Sequence, residues 1–260
     1  MYLCKQEIQN IMKYADIMAQ GVVIDPPYSL FFHIWPYIGF GAAIVLIILI
    51  FFTDFLRSDK RVPRMKDPAI LAWIGAVIYL LHNMEEYGID LYGHPQAFTQ
   101  LMYALMGFRI SEAAYLACNL GLVWVMGPLA AVLTQKGKYG MAAGMAVFEI
   151  INGLSHIGQA INLGCYNPGL ANAITFCLPL GIWTIYQCYW KMKMPKLNLL
   201  WLFLAGLLYH LILLGGIFAA KAGLIGGTAQ GIVMVVGAIL TFGIWYLVAD
   251  RQQKRMAARG

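Results

Sequence analysis

Seven apolar windows, each long enough to cross a bilayer and nearly free of charge, constrain this chain more than any other feature. They run from Phe31 to Leu56, Ala69 to Tyr87, Ser111 to Thr134, Met141 to Leu163, Leu170 to Trp190, Leu197 to Ala220 and Leu224 to Ala249. About twenty apolar residues, at 1.5 Å rise each, cover the ~30 Å hydrocarbon core as a helix. Lipid gives backbone N–H and C=O groups no partner, so each window must satisfy its own hydrogen bonds. The expected fold class is therefore all-α: a polytopic membrane helical bundle of about seven transmembrane helices. Composition agrees, with 61% apolar and 12% charged residues against about a quarter charged in soluble domains.

The windows divide the chain into an N-terminal interfacial segment (1–30), a single membrane domain (31–250) and a basic tail (251–260). Asp25-Pro26-Pro27 breaks the chain before the first span. The first thirty residues carry Lys5, Glu7, Lys13, Asp16 and Asp25 and lack the apolar core of a cleaved signal, so they read as mature protein. Between the second and third windows, Leu101 to Phe108 reads as a short helix in the interface. Gly140 with Gly144, and Gly223, Gly227 and Gly231, have spacings that let helix backbones approach closely.

Orientation follows from the cations, because positively charged loops stay on the cytoplasmic side. Arg57, Lys60, Arg61, Arg64, Lys66, Lys136, Lys138, Lys191, Lys193, Lys196, Arg251, Lys254, Arg255 and Arg259 all fall in alternate segments, 14 of the 18 Lys and Arg residues. The N-terminus is thus expected outside and the C-terminus in the cytoplasm. The net charge of +6 is topological, and no nucleic-acid partner is expected. The five cysteines include no CxxC pair, and no spacing rule joins Cys4 to Cys165.

Against this background, several polar residues stand out. A charge at mid-bilayer costs about 2.5–3.5 kcal/mol on insertion scales, so each needs a reason. The second span carries His82-Asn83-Met84-Glu85-Glu86, with His82 and Glu86 one helical turn apart. The fourth carries Glu149, Asn152 and His156 on one stripe. The third carries Glu112, one turn after Arg109 and spaced to pair with it, and the sixth carries Tyr209-His210. Counted from the inner boundary, His82, His156 and His210 lie at roughly 20, 22 and 20 Å, one common level. His33 and His94 sit at the outer interface with no assigned role. Pro168-Gly169 reads as a tight turn that seats Tyr166 near the mouth of the site.

His82-Asn83-Met84-Glu85-Glu86 resembles the signature of the HXXEE domain family. His156 matches a further characteristic histidine of that family, and Tyr166-Asn167-Pro168-Gly169 matches its YXPG motif. The resemblance covers roughly Trp73 to Leu180. It implies a shared site and carries no assigned activity.

The leading expectation is a metal-dependent membrane enzyme, a hydrolase with zinc or an oxidoreductase with iron. Its expected ligands are His82, Glu86, His156 and His210, with Glu85 or Glu149 as general base and with Glu112 and Tyr166 as further candidates. A metal-free alternative is acid/base isomerisation of a sterol-like or isoprenoid lipid, because His82 and Glu86 resemble the pairing in emopamil-binding-type sterol isomerases. A third is a proton-coupled transporter, although no inverted repeat is visible. The expected partners are the lipid bilayer and a lipid-soluble small molecule, with homo-oligomerisation left open.

Overall fold

The computed structural model describes residues 13–19, 24 and 27–258. Among them the regular elements are all helical, apart from one isolated antiparallel bridge between Ile89 and Pro95. Eight helices follow a helical turn at residues 13–19: α1 Leu30–Phe52, α2 Pro68–Gly88, α3 Ala97–Met106, α4 Glu112–Gln135, α5 Gly140–Leu163, α6 at residues 170–191, α7 Lys196–Lys221 and α8 Gly227–Ala257. All seven apolar windows coincide with helices. By length and composition, α1, α2, α4, α7 and α8 can each cross a membrane. Cys4, Asp25, Pro26 and Arg259 lie outside the described residues, as does the bulk of the expected interfacial segment.

α2 is the hub. In its apolar window 78% of residues are buried, against 28–39% in the other four, and it packs against α1, α4, α5 and α6. Its start is set locally. Pro68 takes the first helical position, where its missing N–H costs nothing, and the Asp67 carboxylate accepts from the Ala69 N–H at 3.0 Å. The same carboxylate accepts from the Ser58 backbone at 2.8 Å, tying the α1–α2 loop to the helix end. On the far side, α8 packs along α4, α5 and α7. A β-carbon on Gly140 would lie 2.7 Å from Ala249, and one on Gly231 would lie 3.0 Å from Ala113, so helices approach closely at both, whereas Gly223 lies in the α7–α8 turn with no neighbour within 4 Å. Ile38, Val45, Ile161 and Leu211 project exposed apolar side chains from the outside of the bundle, as suits a lipid solvent.

Four stretches open into wider π-type turns: Met84–Gly88, Ala117–Met126, Ala173–Cys177 and Gln187–Lys191. The first falls on the signature motif. Such turns bond i to i+5 and recur at functional sites. Here the turn sends Glu85 and Glu86 to different neighbours.

The α2–α3 loop is organised by Asp90, which accepts from the backbone of Tyr92 at 3.0 Å and of His94 at 2.7 Å. Its second oxygen takes the Tyr14 hydroxyl at 2.5 Å, fastening residues 13–19 to the bundle. Glu112 and Arg109 do not form the expected pair. Glu112 accepts from the Ser29 backbone at 2.8 Å and also from its hydroxyl, while the Arg109 guanidinium lies 4.3 Å over the Tyr28 ring. The carboxylate is held instead by two convergent donors at the start of α1, and the cation rests on an aromatic face.

Candidate metal centre

Three side chains from two helices converge where α2 meets α5. His82 and Glu86 come from α2 and His156 from α5; all are buried, with 1%, 6% and 5% of their surface exposed. Glu86 Oε1 lies 3.5 Å from His82 Nε2 and 3.4 Å from His156 Nε2. One potential ligand atom from each residue lies within 4.8 Å of the other two. The two imidazoles meet edge to face at 4.8 Å.

The outer bonds of His156 determine which of its nitrogens faces Glu86 with a lone pair. Asn167 Nδ2 donates to the His156 carbonyl at 2.9 Å, which turns Oδ1 of the same amide toward His156 Nδ1, 2.7 Å away. An amide oxygen only accepts, so Nδ1 carries the proton. In the neutral ring Nε2 is then left with its electron pair toward the Glu86 carboxylate. Asn152 Nδ2 lies 3.1 Å from His82 Nε2, bringing a fourth polar group to the same place.

Glu85 is used differently. Its carboxylate accepts from the Ala171 and Asn172 backbone N–H groups, at 3.1 and 2.8 Å, and from the Tyr166 hydroxyl at 2.8 Å. It therefore caps α6, whose first N–H groups have no intrahelical partner and favour a negative charge. Tyr166 sits in the α5–α6 loop, where burial and the Glu85 carboxylate push its phenol above the ordinary range, so it remains a donor. Gly169 completes the turn with φ +94°, and a β-carbon there would lie 2.6 Å from the His156 ring and 2.7 Å from the His82 ring. The YNPG segment thus does three jobs: it anchors Glu85, orients His156 and leaves room for both imidazoles.

The remaining sequence candidates lie apart from the triad. Glu149 is buried at 1% exposure beside Gly75, and its Oε1 has no hydrogen-bond partner among the described residues. Glu112 lies at the start of α4. His210 is not among the three convergent residues. Its Nδ1 bonds to the Gly206 carbonyl at 2.8 Å, and its ring packs against Phe148.

The triad borders a cavity of about 270 Å³ enclosed by α2, α3, α4, α5 and α7. His82, Glu86, Asn152 and His156 line one wall and His210 lies on the α7 side, whereas Glu85, Glu112, Glu149 and Tyr166 do not reach it. Most other lining residues are aromatic or aliphatic, including Tyr79, Phe98, Tyr115, Phe148 and Tyr209. α4 is held against α2 by Asn83, whose Nδ2 donates to Asn119 Oδ1 at 2.6 Å and whose Oδ1 accepts from Trp124 at 3.3 Å.

Asn83, Asn167 and Gly169 were not singled out from the sequence as site residues. All three lie inside the two motifs, and that position was the available signal. The family described as "Protein of unknown function with HXXEE motif" matches residues 73–184, in agreement with the resemblance read from the sequence. The matched segment contains the whole triad, Glu85 and the YNPG turn. No curated protein and no solved structure matches the chain.

Proposed function

We propose that this protein is a membrane-embedded, metal-dependent enzyme that acts on a lipid-soluble substrate, with His82, Glu86 and His156 as the metal ligands. The observation that carries the reading is the convergence of electron pairs. With Nδ1 of His156 committed to Asn167, its neutral Nε2 and the Glu86 carboxylate present lone pairs to each other across 3.4 Å, and a metal ion held between them would relieve the repulsion. A tetrahedral ion with ligands at 2.0–2.1 Å separates neighbouring donors by about 3.3 Å, close to both imidazole-to-carboxylate distances. A ring N–H held by a carbonyl oxygen is also how ligating histidines are commonly oriented.

Two histidines and one carboxylate leave room for a substrate on the cavity side. Zinc would supply Lewis acidity for hydrolysis there, and iron would supply redox chemistry for oxidation. His210 lies outside this ligand set and faces the same cavity. The reading places all seven windows across the membrane, with the N-terminus outside and the C-terminus cytoplasmic, because 14 of 18 cations then lie inside.

The test is elemental analysis of detergent-purified protein. Wild type is expected to retain one zinc or iron per chain, His82→Ala, His156→Ala and Glu86→Gln to lose it, and His210→Ala to keep it. A proton shared by Glu86 and the two imidazoles would fit the same distances, which keeps acid/base isomerisation as the second reading. Metal-free wild type whose activity is abolished by those substitutions would establish that reading instead.

A further inference from the structure

The cavity has an opening, and its position bears on what enters. In the inner half, α5 and α7 touch: a β-carbon on Gly206 would lie 2.6 Å from Ile151. Further out, one turn beyond Ile151 and about two beyond Gly206, the lining includes Ser155 and Leu214, both exposed, the latter at 45%. Ser155 stands fifteen residues into α5, roughly 22 Å along the helix and so within the hydrocarbon thickness. Leu154, Leu211 and Phe218 flank it with exposed apolar side chains. The mouth therefore faces acyl chains.

Two further features describe the occupant. Among the described residues no lysine or arginine lines the cavity, so a phosphate or diphosphate head would find no ammonium or guanidinium group there. Its polar lining gathers at His82, Glu86, Asn152 and His156, which stand together on one wall against mostly aromatic and aliphatic surroundings. One compact polar spot in an otherwise apolar cavity fits a ligand with one polar group and an apolar remainder.

We infer that the cavity takes an uncharged lipid with a single oxygen function, an alcohol or ketone, which enters sideways from the membrane between α5 and α7. The oxygen sits against the triad and Asn152, and the chain trails past Ser155 and Leu214 into the bilayer. This rests on the reading of the triad as a reaction centre and adds the substrate class and its route.

The experiment uses the full chain in lipid nanodiscs, with a diazirine-bearing long-chain alcohol and the same chain ending in phosphate as photoprobes. The alcohol is expected to label α5 and α7 peptides around Ser155 and Leu214 at least roughly tenfold more than the phosphate. Ser155→Trp, which fills the mouth from its lipid side, is expected to suppress that labelling while metal content stays at the wild-type level. Leu214→Trp serves the same purpose if the first variant does not fold. Equal labelling by the phosphate probe, or labelling that survives a blocked mouth, overturns the inference. Alcohol labelling in a wild type that binds no metal would sink the metal reading and leave the occupant standing.

Discussion

The side-chain oxygen of Asn167 lies 2.7 Å from Nδ1 of His156, and the nitrogen of the same amide holds the His156 backbone carbonyl. One residue of the α5–α6 turn thus sets the ring state of a side chain eleven positions earlier, and the candidate centre depends on that setting.

Replacing Asn167 with alanine is expected to weaken metal binding by about 10–100-fold, the usual cost of removing an outer partner from a ligating histidine. Competitive titration with a metal chelator measures it. Unchanged affinity would mean that His156 is oriented by packing alone.

Glu85 and Glu86 are adjacent in sequence and are expected to separate cleanly by experiment. Glu85→Gln removes the charge at the start of α6 and should lower stability by about 1–3 kcal/mol while metal content is retained. Glu86→Gln should give the opposite result, with metal lost. Thermal unfolding in detergent, read beside elemental analysis, distinguishes them.

Gly169→Ala places a methyl group where both imidazoles stand, on a backbone whose φ of +94° already disfavours a side chain. Metal content is expected to fall, together with a stability loss of at least about 1–2 kcal/mol from backbone strain. Full metal occupancy in this variant would show that the rings have room to retreat.

Alkaline pH should loosen the outer face of the site. Tyr166 and Tyr14 have phenol pKa values raised above the ordinary value of 10.0, in each case chiefly by burial and then by a neighbouring carboxylate, Glu85 or Asp90. The folded chain therefore holds protons that the unfolded chain releases near pH 10. The stabilisation is complete below that pH and declines as pH rises above it. Tyr166→Phe should be less stable at neutral pH and show a shallower alkaline decline, which thermal unfolding at a series of pH values measures.

The helices were legible because a hydrophobic solvent leaves the chain few other options, and all seven windows coincide with helices. His82, Glu86 and His156 were legible because isolated polar groups in apolar helices are costly and their depths agreed. Depth does not fix lateral distance across the cavity, which is why His210, on the α7 wall, faces the same space but stands outside the cluster. Glu85 read as a base because its use as a cap depends on α6 arriving from 86 residues away. Glu112 and Arg109 had pairing distance in sequence, yet the start of α1 supplied better donors. The π turn at Met84–Gly88 had no propensity signal, being imposed by what the two carboxylates must reach.

That turn also limits how the segment can vary in length. It accommodates one residue more than an ordinary helical turn, so deleting a single residue between 84 and 88 would restore regular winding. Everything beyond it would then rotate by about 100° relative to the preceding helix. A deletion ahead of the two acids would turn both away, Glu86 from the imidazoles and Glu85 from the start of α6, so such a shortened chain is expected to lose both the centre and its scaffold at once.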